Sequence, residues 1–246
     1  MPEIAYGSLP FQEAIGYFRQ KGYAFSPTSW RDVWQKAHAR AFTVARVTAM
    51  DALVDIREAV DKALKEGISL GEFKKGLRKT LERKGWFAPT GEEAIIKLPD
   101  GTIRKRLTAW RLDLIYTQNL QTAYSVGRYK QMMDVKDRRP WWQYMSRLLS
   151  TTREEHAAHH ETVRHAEHPF WNTWYPPNGF RCKCYVKTLS SRQMKERGLE
   201  EEHKGTDLKP DEGWQYNPGK AGLDAWQPDL NKYDPGARRL LEEDLR

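Results

Sequence analysis

The sequence predicts an α+β fold: a helical N-terminal module over residues 1–90, a smaller α+β domain with a short β-sheet over 91–198, and an extended C-terminal tail over 199–246. Three observations carry this reading. Through the first ninety residues apolar side chains recur every three or four positions, the period of an amphipathic helix. After Glu92 the period changes to strand-like runs, the first of them around an Asp-Gly turn. From Leu199 the periodicity fades into Gly, Pro and Asn punctuation.

Taken in order, Phe11, Ile15 and Phe18 line a short helix that follows Pro10 and stops at Gly22. Trp30, Val33, Trp34, Ala37, Ala41 and Val44 keep helical spacing, so a helix is expected over 30–47 with its tryptophans as core anchors. Thr48 and Asp51 form a capping-box pattern for a helix striped by Leu53, Ile56, Val60 and Leu64 and closed by Gly67. Ser69 and Glu72 form a second box, opening a helix with Phe73, Leu77 and Leu81 on one face and Gly85 at its end. Opposite that face, Lys74, Lys75, Arg78, Lys79, Arg83 and Lys84 make a solvated cationic side.

Ile95–Leu98 and Thr102–Arg104 read as a hairpin turned at Asp100-Gly101. Thr108 is placed to cap a long helix through Met133, with Leu112, Ile115, Tyr116, Leu120, Ala123, Tyr124 and Val126 as its apolar positions. Asn119 lies within that face, either as a satisfied core amide or as a group that orients a site. Arg138-Arg139-Pro140 ends the helix, and Trp141–Leu149 alternates as a strand. Thr151 and Thr152 each precede a Glu by three residues, which favours a short helix from Arg153 to His160. Thr162-Val163 and Cys184–Leu189 are strand candidates, with a Pro-Pro-Asn-Gly turn between them. Ser190 and Gln193 cap a last helix that stops at Gly198. In the tail, Trp214, Tyr216 and Trp226 are set to hold the chain along the body.

Composition narrows the function classes. The chain has 246 residues, 30% of them charged and 39% hydrophobic, as a soluble globular protein has. It contains no apolar run near the ~20 residues that span a bilayer, so no membrane partner is expected. Residues 1–22 do not read as a secretion leader. Two cysteines one residue apart build no disulfide framework, which suits a reducing compartment. The net charge of +8 is uneven: residues 199–246 carry 7 Lys+Arg against 12 Asp+Glu, net −5, leaving +13 on residues 1–198. A basic body suits sequence-independent contact with the phosphates of double-stranded DNA. The candidates are Lys74, Lys75, Arg78, Arg104, Lys105 and Arg106. The acidic tail would shield that surface or dock on it.

The chemistry concentrates in residues 151–189, which hold His156, His159, His160, His165 and His168, both cysteines, and Phe170, Trp171, Trp174, Tyr175 and Phe180. Three readings stand side by side. In the first, Cys182 and Cys184 face one side of a strand, His156 shares a helical face with His159 or His160, and His156 and His160 with the two cysteines make a tetrahedral zinc site, although not at zinc-finger spacing. In the second, Arg153, His156 and the cysteines line the pocket of a metal-dependent nuclease or transferase-like enzyme, with His as acid-base and Arg on a phosphate. Neither paired acids nor a glycine-rich phosphate loop support that reaction. In the third, the cluster is packing: Arg153 pairs with an acid or backbone, His156 makes a buried hydrogen bond, and the aromatics pin an irregular loop.

Arg153-x-x-His156, then His168-Pro169-Phe170-Trp171, then Tyr175-Pro176-Pro177-Asn178-Gly179-Phe180-Arg181-Cys182-Lys183-Cys184-Tyr185-Val186 resemble the core motif of the Mu F-like phage head-morphogenesis (minor capsid) proteins. A second stretch is similar to the same family at Ile115, Tyr116, Asn119, Leu120, Ala123, Tyr124, Gly127, Arg128 and Tyr129, and a third at Phe42–Ala45. One departure stands out: His159-His160-Glu161 occupy the place of the family's Leu-Asp-Gly-like turn. The resemblance implies a structural motif made by Arg153, His156, Phe170, Trp171, Pro176, Pro177, Asn178, Gly179, Cys182 and Cys184. It further implies a non-enzymatic minor head protein of a tailed phage or prophage, associated with portal, capsid and scaffold and acting in head assembly and in DNA packaging or delivery. Such a protein is assembled in the host bacterial cytoplasm and resides in the virion head.

Overall fold

The helical layer forms where the spacing asks for it. A computed structural model of the chain describes residues 11–24, 29, 31, 36–47, 49–90, 94–99, 101, 103–202 and 207–223. Helix α1 (Gln12–Arg19) buries Ala14, Ile15, Tyr17 and Phe18. The strand β1 (Gly22–Tyr23), the short helix α2 (Lys36–Arg40) and the strand β2 (Ala41–Phe42) follow. Helix α3 (Met50–Glu66) buries Ala52, Leu53, Ile56, Val60, Ala63 and Leu64, and it ends where Gly67 takes φ 68°, a left-handed C-cap that a Cβ disfavours. Helix α4 (Leu70–Arg83) opens on a complete capping box between Ser69 and Glu72 and buries Phe73, Leu77 and Leu81. The first two-thirds of α5 (Ala109–Asp134) closes this core with Leu112, Ile115, Ala123 and Val126. Each fully buried Leu, Ile, Val or Phe here contributes ~1.5–3 kcal/mol relative to exposure.

Glycine sets how closely α1 approaches α5. A Cβ on Gly127 would lie 2.8 Å from the Phe11 ring and 2.9 Å from the Ala14 backbone nitrogen. Asn119 is answered within its own helix, since its side-chain amide donates to the Ile115 carbonyl at 2.8 Å. Its amide nitrogen is therefore satisfied locally.

The helix expected over 30–47 is the main departure. Only Lys36–Arg40 of it is α-helical among the described residues, and Ala41–Phe42 turn into β2, parallel to β1 with Gly22 opposite Ala41 and Tyr23 opposite Phe42. Residues Ala41, Phe42, Thr43 and Val44 are all buried in a row. A helix would turn part of such a run to solvent, whereas an extended segment inside the core buries every residue, so tertiary burial overrides helical spacing. Trp30, Val33, Trp34 and Thr48 lie outside the described residues. The N-cap of α3 is Ala49, and α1 gives way at Gln20, so that Gly22 begins a strand rather than stopping a helix.

The hairpin forms as β3 (Ile95–Lys97) and β4 (Ile103–Lys105), antiparallel, with Ile95 opposite Lys105 and Lys97 opposite Ile103. Asp100 and Thr102 lie outside the described residues. Strand alternation puts those four residues on one face, where Ile95 and Ile103 are exposed. Arg104 faces the other way and lies over the Trp86 ring at 4.7 Å.

The second layer is a three-stranded sheet in the order β6-β5-β7, antiparallel throughout. Its central strand β5 (Trp141–Met145) lies between β6 (Val163–His165) and β7 (Tyr185–Leu189). Period-two alternation sends Trp142 and Tyr144 to one face, both fully buried against Met132, Trp171, Trp174, Tyr175, Cys182, Cys184 and Val186. On the opposite face α8 (Ser191–Glu196) packs Met194 against Val163 and Leu189, starting from the expected capping box at Ser190 and Gln193. The β5 strand stops at Met145, short of the expected Leu149, because Leu148 takes φ 48° and breaks the extended path.

Of the tail, residues 207–223 lie against the body with two of its aromatics buried. Trp214 and Tyr216 are buried, and Trp214 meets Phe180 edge-on at 5.1 Å. A short helix, α9 (Pro218–Leu223), then lies against α5, where a Cβ on Gly219 would fall 2.3 Å from Tyr129. Trp226 lies outside the described residues. Among the described residues no helix is long and apolar enough to cross a membrane.

Candidate functional site

Helix α6 (Glu154–Ala158) is one short turn whose N-cap position is taken by Arg153. The expected threonine caps do not form. Thr152 Oγ1 accepts instead from the Leu149 N–H at 2.9 Å, tying the turn that precedes the helix. Arg153 Nη2 reaches across the loop to donate to the Phe180 carbonyl at 3.0 Å. His156 points inward and is 2% exposed. The helix α7 (Trp171–Trp174) and the aromatic shell stand behind it, with Trp174 edge-on to His156 at 5.9 Å.

The Pro-Pro-Asn-Gly turn delivers the cysteines. The Pro176–Pro177 peptide is cis, and the Pro176 carbonyl accepts from Ser125 Oγ on α5. Asn178 has no exposed surface. Its Oδ1 accepts from the Tyr144 hydroxyl at 3.0 Å and its Nδ2 donates to the Thr173 carbonyl at 3.3 Å, so both ends of the amide are satisfied. Arg181 then takes φ 59°, and Cys182 and Cys184 lie in the loop before β7 rather than on it. Their shared side is made by this bend and not by the strand alternation expected for them.

His156, Cys182 and Cys184 come together, all buried, with their donor atoms within 4.8 Å of one another. Cys184 Sγ is 3.8 Å from His156 Nδ1. The other ring nitrogen, Nε2, is buried with no hydrogen-bond partner among the described residues and lies 3.7 Å from Asp211 Oδ1. Asp211 Oδ2 in turn is 2.8 Å from Arg153 Nη2. The tail therefore supplies a carboxylate that the motif spacing does not reveal. Asp211 is seated there by its own N–H, which donates to the Asn178 carbonyl at 3.1 Å, and by Gly179, whose Cβ would fall 2.3 Å from Asp211 Oδ2. A side chain at residue 179 would displace the carboxylate.

The electrostatics of the cluster follow from burial and from short sulfur contacts. The hydrogen bond shared between the two sulfurs holds the Cys184 thiol well below its ordinary range, with further help from His156 and Tyr144. The same bond, together with burial, pushes Cys182 up. Burial raises the Asp211 carboxyl, against the pull of Arg153 and His156. Burial lowers His159 to about 4, with His156 and Arg164 adding to the effect.

The other histidines stand apart. The helical face expected to join His156 and His160 does not form, because α6 ends at Ala158 and His160 lies beyond it. His160 Nδ1 accepts from the Ser146 N–H at 3.1 Å, and Nε2 is 3.9 Å from Glu161. His159 is a packing residue, its ring 4.1 Å from Trp174 and 5.2 Å from Phe170. Trp171 is buried, donates from Nε1 to the His165 carbonyl at 3.0 Å, and accepts at its own carbonyl from Asn217 of the tail at 2.9 Å.

The cationic candidates are partly committed within the fold. Arg78 pairs with Glu82 at 2.7 Å and lies over the Phe87 ring, next to the Trp86 ring that carries Arg104. Lys75 is exposed, Lys74 and Arg106 are half-buried, and Lys105 shares the outer face of the hairpin with Ile95, Lys97 and Ile103. Lys84 pairs with Asp55 at 2.6 Å. Among the described residues the acids of the tail dock through Asp211 on Arg153 at 2.8 Å, through Glu212 on Arg31 at 2.6 Å, and through Glu201, which accepts from the His165 N–H at 3.0 Å. Asp211, Tyr144 and Ser125 are contacts of the candidate site that sequence reasoning missed. The signal nearest to Asp211 is its place three residues before the buried Trp214, which brings adjacent acids to the body.

Comparison with known proteins identifies the family of the chain, not the role of the site. The family described as phage Mu protein F like protein matches residues 54–187. The putative capsid assembly protein F of Escherichia phage Mu is 39% identical over 263 aligned positions, covering 94% of this chain and 59% of that protein. The Mu-like prophage FluMu F protein of Haemophilus influenzae is 37% identical over 171 positions, covering 70% of this chain and 40% of that protein. The chain thus spans about three-fifths and two-fifths of the lengths of these relatives. No solved structure matches it.

Proposed function

This chain belongs to the phage Mu protein F-like family, and from that premise we propose that it acts in capsid assembly as a minor, non-enzymatic head protein of a tailed phage or prophage. The likeness to a phage Mu protein named for capsid assembly, along nearly the whole chain, carries this reading. The surface supports it. Ile95 and Ile103 stand exposed beside Lys97 and Lys105 on the hairpin, and Trp110 is 60% exposed with Arg181 over its ring. Exposed apolar side chains set among cations suit docking on another protein. The occupants in this reading are the portal and the capsid or scaffold, with the virion head as the final location and non-specific double-stranded DNA as a further partner.

Assembly is tested by disrupting the gene and fractionating lysates. The protein is expected to cosediment with procapsids or portal and to be required for infectious particles; failure of both overturns the reading. Contact with DNA through phosphates is tested by binding at rising salt. Affinity is expected to fall about 10³–10⁵-fold from about 50 to 200 mM salt for six to ten phosphate contacts. Retention unchanged over that range excludes the electrostatic mode.

One observation favours a second, enzymatic reading: His156 stands between Cys184 at 3.8 Å and Asp211 at 3.7 Å, in the order of a nucleophile, a base and an orienting acid. Against it, Cys182 is 2% and Cys184 8% exposed, which leaves a substrate little access to either sulfur. A folded His156→Ala protein that still binds its assembly partners but loses a nuclease or transferase activity measured on the parent would favour the enzyme.

A further inference from the structure

His156, Cys182 and Cys184 are the only group of three or more clustered metal-ligating side chains among the described residues. All three are buried, and two soft sulfurs with one imidazole form a donor set suited to zinc. In a tetrahedral site, with Zn–S near 2.3 Å and Zn–N near 2.0 Å, neighbouring donor atoms stand about 3.5–3.8 Å apart. Cys184 Sγ and His156 Nδ1 already stand at 3.8 Å.

The second nitrogen of His156 points the same way by an independent route. Metal-bound histidines commonly donate their other ring N–H to a carboxylate, which fixes the tautomer and the ring orientation. His156 Nε2 is buried, lacks a hydrogen-bond partner among the described residues, and faces Asp211 Oδ1 at 3.7 Å. With the proton on Nε2, the lone pair of Nδ1 faces the sulfurs. Arg153 holds Asp211 in place at 2.8 Å, and Gly179 leaves the room that the carboxylate needs.

A cavity of about 30 Å³ is lined by His156, Cys182 and Cys184 and by the cations Arg147, Arg153, Arg181 and Lys183. That volume suits one water. The surrounding cations offset the charge of two thiolates, which a soft divalent ion then neutralises. We propose that His156 Nδ1 and the thiolates of Cys182 and Cys184 bind one zinc ion, with a water in the fourth position and Asp211 orienting the imidazole from the tail. On binding, protons held by the sulfurs pass to solvent and no oxidation state changes. The site ties residues 207–223 to the 153–189 segment through Asp211, so zinc would fasten the tail to the body. The inference does not depend on the assembly reading.

The test uses the full chain under reducing conditions. Native mass spectrometry with added zinc is expected to show one zinc per chain, with proton release on titration. Cobalt(II) in place of zinc is expected to give thiolate-to-metal charge-transfer bands and the intense visible bands of a four-coordinate ion. Cys182→Ser combined with Cys184→Ser is expected to abolish both signals. Asp211→Asn, which keeps the volume, is expected to weaken zinc affinity about 10–100-fold. Substoichiometric zinc at saturation, cobalt spectra without thiolate bands, or zinc binding retained by the double cysteine variant would overturn the site. Unchanged affinity in Asp211→Asn would remove the tail from it. If the cysteine variants fail to fold, parent protein stripped with a chelator and titrated with cobalt(II) gives the same decision.

Discussion

The helical core around α3 and the sheet core around β5 exclude water by different means. The first is built from Leu53, Ile56, Val60, Leu64, Leu77, Leu81 and their neighbours, each placed by its position along an amphipathic helix. The second is built from Trp142, Tyr144, Trp171, Trp174, Tyr175 and two cysteines, and it encloses His156, His159, Arg164 and Asn178. Aliphatic packing is non-directional and tolerates exchange of similar volumes. Aromatic and polar packing demands particular partners: Tyr144 needs Asn178, and Trp171 needs the His165 carbonyl. The helical core is held by area, the sheet core by area together with particular pairs such as Tyr144 and Asn178. Helix α5 serves both, lending Leu112, Ile115, Ala123 and Val126 to one and Met132 to the other.

The sharpest way to break this comparison is to empty each core in turn. Trp142→Ala removes a fully buried ring that meets Tyr129, Trp171 and Tyr175. It is expected to cost about 3–5 kcal/mol in denaturant unfolding, and Leu53→Ala about 2–5 kcal/mol. Because α5 is common to both cores, each variant is expected to shift one shared transition. Two separable transitions in either variant would show that the cores unfold independently.

Acid and base separate the cores further. In the helical core, burial, reinforced by Arg57, lowers Lys21 to about 7 from an ordinary 10.5. Between those values the unfolded chain holds a proton that the folded chain has released, so stability climbs as pH rises through that window and falls as pH drops through it. In the sheet core, His159 is held at about 4 against an ordinary 6.5. Its contribution has the same sign one window lower: stability is lost as pH falls from about 6.5 to 4. Lys21→Met is expected to flatten the upper slope and His159→Gln the lower one, read from melting temperature against pH beside the parent. Interchanged effects would contradict the assignment.

Deleting a single hydroxyl tests the matched-pair principle directly. Tyr144→Phe leaves Asn178 Oδ1 buried without its donor, and a cost of about 1–3 kcal/mol is expected. A change below about 0.5 kcal/mol would mean that the pair is dispensable. The smallest expected effect lies on the helical side, at the surface. Ser69→Ala removes the capping box that opens α4, and a loss of about 0.5–2 kcal/mol is expected in thermal unfolding.

Much of the helical half was legible because its information is local. The stripe of α3, the box at Ser69 and the left-handed Gly67 are each decided by residues within a few positions of one another. The hairpin, the box at Ser190 and the buried tail aromatics were legible for the same reason. The strand at Ala41–Phe42 was not, because what makes it a strand is a partner at Gly22–Tyr23 and a core that covers it on all sides. Thr151 and Thr152 carried a capping signal that the preceding turn took over when Thr152 bonded back to Leu149.

At the site, the sequence by itself determined which chemistry is present: one arginine, one inward histidine, two cysteines and a turn that must bend sharply to present them. It determined the family for the same reason, since motif spacing is a property of the chain. Only the tertiary structure decided which histidine joins the sulfurs and which acid stands behind it. His160 is excluded because a five-residue helix ends before reaching it, and Asp211 is included because a tail anchored at Trp214 crosses Gly179. Neither choice is written in local spacing. Both depend on where separate segments come to rest once the aromatic core has closed, and that closure depends on burial summed over the whole fold.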